Sequence, residues 1–370
     1  MLATGTRYET LFLVAPLCVA LAVEGRWRMG VALGALAWVP VVAYGWISVA
    51  HGAHFLPNSL LLKGAMPPTG GSARAWGNFL TLGWKAWMLQ TPQLFSLSML
   101  VLVLCAWSMR KGAWGRAEEH AERESGRRWT VLAGGIWLVA TWAHLQFAAT
   151  GWFYRYEAYL VGLGVAGCGF GAWAWWRSEE ERGIGTRTVG CLLVLFLVGP
   201  LGIRARAAQQ DFLPAGHHIY RQQYQLGRFL AEAYGEEVRV ALNDLGAVSF
   251  FTDGKILDLY GLGTKEVLDA KRAGHLDSQE ISRLLLNKGI TVVVVYDVWA
   301  APLLPGWLEP VCKWTVPDGY WKKTVTFYGA GPSRAADLQK KLRAFAPKLP
   351  PGVEVVYVNE AGFQRNADLE

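Results

Sequence analysis

Apolar runs crowd the first 206 residues and almost vanish after them. Six can be read, at roughly 10–24, 29–50, 93–109, 129–150, 158–176 and 188–203. A helix of about 17–25 apolar residues reaches across the hydrocarbon core of a bilayer. Inside that core every backbone N–H and C=O must bond within the protein, so such runs have little choice but to be helical. The first and last runs are short for the task. Pro16, Pro40 and Pro200 fall inside runs, which packed membrane helices accommodate. The expected architecture is an α-helical multi-pass membrane domain over 1–206, followed by a small α/β extracytoplasmic domain over 207–370.

Aromatic composition points the same way. Of 19 tryptophans, all but Trp299, Trp307, Trp314 and Trp321 lie between Trp27 and Trp176. Indole rings concentrate at membrane–water interfaces, where an apolar body with one polar edge suits the headgroup layer. The net charge of +7 raises the question of nucleic acid, but much of the basic excess sits in short loops between apolar runs, where membrane orientation accounts for it. Five cysteines form no framework: Cys18, Cys105, Cys168 and Cys191 lie in apolar runs and Cys312 stands alone. They read as small buried hydrophobes.

Basic residues in short loops stay with the cytoplasm. One set of loops carries Arg26 and Arg28, then Arg110, Lys111, Arg116, Arg123, Arg127 and Arg128, then Arg177, Arg182 and Arg187. The other carries Arg7, Lys63, Arg74, Lys85, Arg155, Arg204 and Arg206, spread over longer segments. The first set is therefore assigned to the cytoplasm. Met1, the loop 51–92 and the C-terminal domain are assigned to the outside. A chain starting outside leads us to expect further helices upstream. A signal peptide cleaved near Ala20-Leu21-Ala22 is the competing idea, but it would put the loop from Arg110 to Arg128 outside. In the outer loop, Trp76, Phe79, Leu80, Trp84, Trp87 and Met88 recur at helical spacing, which suits a helix lying in the interface as well as a loop packed on the spans.

Past Arg206 the pattern becomes that of a water-soluble domain. An amphipathic helix is expected over 217–234, with Ile219, Tyr220, Gln223, Leu226, Leu230 and Ala233 on one face. Strands are expected at 238–242, 255–259, 291–296, 324–328 and 353–358. Asp277-Ser278-Gln279-Glu280 has capping-box spacing and Gly289 is placed to stop the helix it opens. A further helix is expected over 333–345. Strands alternating with helices imply a layered α/β domain, with the near-continuous apolar run Thr291–Tyr296 in a parallel sheet.

No Walker loop, HExxH, GxSxG or paired-cysteine zinc motif is present. Gly261-Leu262-Gly263 follows a strand but lacks the rest of a dinucleotide fingerprint. The triplets Arg7-Tyr8-Glu9 and Arg155-Tyr156-Glu157 stand out, each at the head of an apolar run. A charged residue beside a span is costly unless paired, solvated or in use. Arginine offers a fork of donors that matches phosphate, and a carboxylate could act as general base. The plainer use of the same residues is an Arg–Glu pair anchoring a helix end. Lys63 and Asn58 could contact a phosphate or sugar. As a snorkelling lysine and a turn asparagine they could equally be structural. Asp258 ends a strand, where α/β sheets often place functional groups.

Thr6-Arg7-Tyr8-Glu9-Thr10-Leu11, Leu56-Pro57-Asn58-Ser59 with Lys63-Gly64, and Phe153-Tyr154-Arg155-Tyr156-Glu157 resemble the later membrane half of bacterial GT-C glycosyltransferases. Asn243-Asp244-Leu245-Gly246-Ala247 with Leu257-Asp258-Leu259-Tyr260-Gly261-Leu262 is similar to their extracytoplasmic C-terminal domain. The resemblance implies transfer of a sugar from a polyprenyl-phosphate carrier to a glycan, lipid or protein acceptor on the outer side of the cytoplasmic membrane. No cofactor is assigned, a divalent metal could take part, and the loop placement of the basic residues argues against a nucleic-acid partner. Such enzymes carry an essential acidic residue in their first outer loop, which has no counterpart here. Arg155 and Arg7, with Lys63, Asn58 and Asp258, are the expected donor or substrate contacts, and Glu157 and Glu9 the candidate acidic groups. Two rivals share these features: a non-catalytic membrane protein binding glycan or a partner through its external domain, and a transporter subunit. A transporter calls for ionisable groups in mid-span, and only His144 answers that description clearly.

Overall fold

A computed structural model describes residues 1–65, 73–110, 117–177, 184–320 and 322–358. The Gly/Pro stretch of the loop 51–92, Lys111, Arg116 and Arg182 lie outside the described residues, as does Trp321. The side chains of Arg110, Arg123, Arg127, Arg177, Arg187 and Cys191 do as well. The chain divides into two compact units, Met1–Ala208 and Gln209–Glu370.

The first unit is helical. Its main elements are Leu11–Val23, Trp27–Ala50, Ala73–Lys85, Pro92–Arg110, Ala117–Phe147, Ala158–Arg177 and the start of Ile184–Ile219. Among the described residues, three helices are long and apolar enough to cross a membrane: Trp27–Ala50, Pro92–Met109 and Arg128–Phe147. Tyr8–Val23 and Ala158–Gly171 are apolar but shorter. Three of the six expected spans thus meet the length and composition requirement among the described residues. The 13 residues of Leu11–Val23, with Pro16 inside, rise only about 20 Å at 1.5 Å per residue. The sixth run lies inside Ile184–Ile219.

A buried cluster of Leu94, Leu97, Val101, Trp137, Ala140 and Leu160 joins the helices Pro92–Arg110, Ala117–Phe147 and Ala158–Arg177. Close approach depends on a missing side chain: a Cβ on Gly164 would lie 2.6 Å from the Trp137 ring, nearer than atoms pack. The Trp137 indole N–H then donates to the Leu160 carbonyl at 2.9 Å. Within the loop 51–92, Ala73–Lys85 is helical and runs into a wider turn, Ala86–Gln90. One side is tied to the bundle by Gln146, whose amide accepts from Gly83 N at 3.1 Å and donates to Phe79 O at 2.8 Å. Its other side leaves Leu80, Trp84, Met88 and Leu89 exposed. One amphipathic segment therefore packs on the bundle through one face and keeps an apolar face outward.

The second unit is an α/β layer. Its strands are β1 (Arg239–Leu242), β2 (Lys255–Asp258), β3 (Val292–Val295), β4 (Leu308–Thr315), β5 (Thr324–Ala330) and β6 (Glu354–Tyr357). They form one sheet in the order β2-β1-β3-β5-β4-β6. β2, β1 and β3 are parallel; β5, β4 and β6 continue it in antiparallel pairing. Side chains alternate across the sheet. Val292 and Val294 join the core of Phe229, Trp314, Phe327 and Phe345, while Val293 and Val295 join that of Val267, Ile281, Leu284 and Leu285. Both faces are covered, so β3 is apolar at every position.

Most expected elements appear within a few residues. The Asp277 carboxylate accepts from Glu280 N at 2.9 Å and caps Ser278–Asn287. Gly289 follows with φ 63°, a left-handed stop that glycine takes without a Cβ clash. The helix Lys265–Ala273 and the strand β4 were not anticipated. Pro310 and Lys313 hide β4 from a pattern search. The register shifts between Pro310 and Cys312, a bulge that admits the proline. Lys313 is buried against Asp297, with 3.6 Å between nitrogen and oxygen. Asp297 also accepts from the hydroxyls of Thr326 and Tyr328.

Candidate functional site

The segment 148–157 links two helices of the first unit. Four successive residues, Gly151, Trp152, Phe153 and Tyr154, have φ of 77°, 46°, 57° and 59°. For a residue with a Cβ the left-handed conformation costs about 1–2 kcal/mol, so three in a row need strong external ties. Glu157 supplies them. It is buried, its carboxylate accepts from Gly151 N at 2.9 Å, and it meets Gln93 Nε2 and Arg204 Nη1, each at 3.5 Å. Arg204 also donates to the Tyr154 carbonyl and stacks 5.3 Å from that ring. The Glu157 carbonyl accepts from Leu160 N and Val161 N, opening the helix Ala158–Arg177.

Arg7 reaches the same segment from the N terminus. It is the one extended residue (φ −150°) between the helix Leu2–Thr6 and the turn Tyr8–Thr10. Its guanidinium donates to the Arg155 and Tyr156 carbonyls, both at 3.2 Å, and pairs with Glu9 at 3.3 Å. The two triplets, 148 residues apart, therefore meet through one side chain. Lys63 closes the short helix Asn58–Lys63 and donates to the Tyr156 hydroxyl at 3.3 Å. Among the described residues no carboxylate pairs with Lys63. Tyr159 bridges Glu9 O, at 3.4 Å, and His144 Nδ1, at 3.2 Å.

These groups border a cavity of about 640 Å³. Arg7, Glu9, Lys63 and Tyr156 line it together with Trp38, Val41, Tyr44, Leu56, Leu60 and Phe147. It has a cationic part and a largely apolar, aromatic wall. Such a space fits an amphipathic molecule with a negatively charged head.

The seven residues singled out from the sequence thus separate. Arg7, Glu9 and Lys63 line the cavity. Arg155 is exposed, its guanidinium 5.6 Å from the Tyr156 ring, and contributes its carbonyl rather than its side chain to the contact with Arg7. Glu157 is buried and spent on the turn. Asn58 opens the Asn58–Lys63 helix without lining the cavity. Asp258 lies in the second unit, where its carboxylate accepts from Tyr260 N and Gly263 N at 2.8 and 2.7 Å and shapes the loop after β2. Tyr156 carried a signal that sequence reasoning passed over: it sits between the two charged residues of a triplet. Trp38 and Tyr44 carried none, being two aromatics among many. Among the described residues, no group of three His, Cys, Asp or Glu is placed to hold a metal ion.

Residues 217–339, within the second unit, match a family model described as Domain of unknown function (DUF8728). No curated protein matches the chain. No solved structure matches it either.

Proposed function

We propose that this chain is a multi-pass protein of the cytoplasmic membrane that takes a sugar from a polyprenyl-phosphate carrier, as part of a glycosyltransferase acting on a cell-envelope glycan, lipid or protein. In this reading the second unit is extracytoplasmic and the basic segment around Arg116 is cytoplasmic. The observation that carries it is the cavity beside Tyr156. Lys63 brings an ammonium with no carboxylate partner among the described residues to a space walled by Trp38, Val41, Tyr44 and Leu60. A prenyl phosphate has that polarity: a dianionic head on an apolar chain. Lys63 and Arg7 hold the phosphate, and Glu9 is the carboxylate that lines the same cavity among the described residues.

The pairing of Glu9 with Arg7 at 3.3 Å favours a second reading, in which the chain binds the carrier or a glycan without catalysing transfer. There the Glu9 carboxylate is engaged by the Arg7 guanidinium rather than turned to an acceptor.

The test is native mass spectrometry of the full chain in nanodiscs carrying undecaprenyl phosphate, followed by a radiolabelled sugar-transfer assay on membranes. Lys63→Met is expected to weaken phosphate-lipid binding about tenfold or more, the value of one charge-assisted contact of about 1.5–3 kcal/mol. Arg155→Ala should matter less, because only its carbonyl joins the network. Equal binding by wild type and Lys63→Met refutes the phosphate site. Binding without transfer selects the non-catalytic reading. For sidedness, protease added to spheroplasts should cut the second unit and spare the segment around Arg116.

A further inference from the structure

The second unit holds another cavity, of about 480 Å³, at the carboxyl ends of its parallel strands. Its position follows from topology. β1 sends its connection to β2 on one side, whereas β3 sends its own to the antiparallel strands on the other. Crevices open where connections diverge in this way, and ligands of α/β sheets bind there. Asn243 directly follows β1, Tyr260 lies just past β2, and Trp299 comes shortly after β3; all three line the cavity. So does Lys271, from the helix Lys265–Ala273. The other lining residues, Leu259, Leu276 and Ile281 among them, are aliphatic.

The polar groups of this cavity are nearly all donors. The Asn243 side-chain oxygen is occupied, accepting from Tyr296 N at 3.0 Å. Its Nδ2 is buried and, among the described residues, has no hydrogen-bond partner. A buried donor left unsatisfied costs about 1–3 kcal/mol, a cost that a ligand oxygen would remove. The Lys271 ammonium stands 4.2 Å from the Tyr260 ring, and that of Lys322 stands 5.9 Å from the Trp299 ring. Partial burial lowers the Lys271 pKa, while the charge of Asp258 holds it up. The Asp258 oxygens are turned to Tyr260 N and Gly263 N, and no carboxylate lines the cavity among the described residues. The Tyr260 and Trp299 rings lie 6.3 Å apart at 36° to each other. Apolar walls, two aromatic faces, an unsatisfied amide and a cationic rim require a ligand that brings acceptors, negative charge and a flat or apolar body.

We propose that this crevice is a binding site for a small amphipathic anion, a ring-bearing carboxylate or phosphate. Its body packs against Tyr260 and Trp299. Its oxygens accept from Asn243 Nδ2 and Lys271 Nζ. The site stands apart from the prenyl-phosphate reading above, since no residue is shared between the two cavities.

The experiment is a saturation-transfer NMR titration of the full chain in nanodiscs. The probes are benzoate, phenyl phosphate and, as the uncharged control, benzyl alcohol. Wild type is expected to bind at least one anion saturably and at least tenfold more tightly than benzyl alcohol. The tighter of the two anions identifies the head group. Lys271→Met keeps the aliphatic stem at an exposed position and should raise the anion Kd about tenfold, leaving benzyl alcohol unchanged. Trp299→Ala should weaken all three probes. Lys63→Met, in the other unit, should change none of them, which separates this site from the prenyl-phosphate one. No saturable anion binding overturns the proposal. So does benzyl alcohol binding as tightly as the anions, or an anion Kd unmoved by Lys271→Met.

Discussion

The two units put their apolar residues in opposite places. In the first, large side chains such as Val31, Trp46, Ile47, Phe170 and Leu195 are exposed, while Gln93, Ser96, Thr141, His144 and Glu157 are buried. In the second, Phe229, Trp314 and Phe327 are wholly buried and the valines of β3 are covered on both faces. Each pattern suits a different solvent. Apolar surface removed from water is worth about 25 cal/mol per Å², so the second unit gains by hiding its rings. In the proposed membrane setting the first unit lacks that driving force against lipid tails, and polar groups gain by turning inward to find partners. The contrast teaches that burial of a charge means different things in the two halves: Glu157 holds a backbone turn together, whereas Lys313 and Asp297 pair inside a sheet domain.

The comparison breaks most readily at the aromatic core. Trp314→Ala should destabilise the second unit by about 3–5 kcal/mol, through lost packing and a cavity among Phe229, Phe327 and Phe345. Trp46→Ala, at 72 % exposure, should leave the detergent-solubilised chain within about 0.5 kcal/mol of wild type. Denaturant unfolding followed by tryptophan fluorescence reads both. Equal losses would remove the distinction between the units.

Next comes the ion pair of the turn. Glu157→Ala leaves Arg204, only 13 % exposed, without its partner, and frees the left-handed turn. Breaking a buried pair of this kind costs about 3 kcal/mol or more. Glu157→Gln, which keeps an acceptor for Gly151 N, should lose less. Thermal unfolding in nanodiscs orders the three proteins, and a Glu157→Ala protein as stable as wild type would show that the turn is held elsewhere. A smaller effect is expected from Asp277→Ala, which removes a helix cap worth about 1 kcal/mol, visible as a shifted urea midpoint with an unchanged slope.

The smallest effect is electrostatic. Burial pushes the His218 pKa below its usual value, against a weaker opposing pull from Gln222 and Asp318. The folded state thus favours the neutral ring. The stability this gives is present above the unfolded histidine pKa of about 6.5 and is lost as pH falls through the lower folded value. Stability of the second unit should therefore drop on acidification below about pH 6.5. His218→Gln should flatten that dependence, and an unchanged profile would rule His218 out as its source.

Much of the second unit was legible because its signals are local. Val292–Val295, the Asp277 cap and Gly289 each act over a few residues. β4 was not legible, since Pro310 belongs to a bulge and Lys313 is paid for by Asp297 from another element. The antiparallel pairing of β5 and β6, both expected as strands, was hidden with it. In the first unit the Arg-Tyr-Glu triplets drew attention by composition, yet their roles diverged. Arg155 and Glu157 are two residues apart, but one faces outward and the other is clamped by Gln93 and Arg204. Nothing within the segment itself decides between them.

What the residues alone determined was the division of the chain into an apolar helical part and an α/β part. Hydrophobic period and length act on each segment independently of the rest. What only the tertiary structure decided was which charges meet. The convergence of Arg7 on the carbonyls of Arg155 and Tyr156, of Lys63 on the Tyr156 hydroxyl, and of Asn243 with Tyr260 and Trp299 at the strand ends depends on packing between distant elements. Side-chain partnership over such separations is a property of the assembled fold.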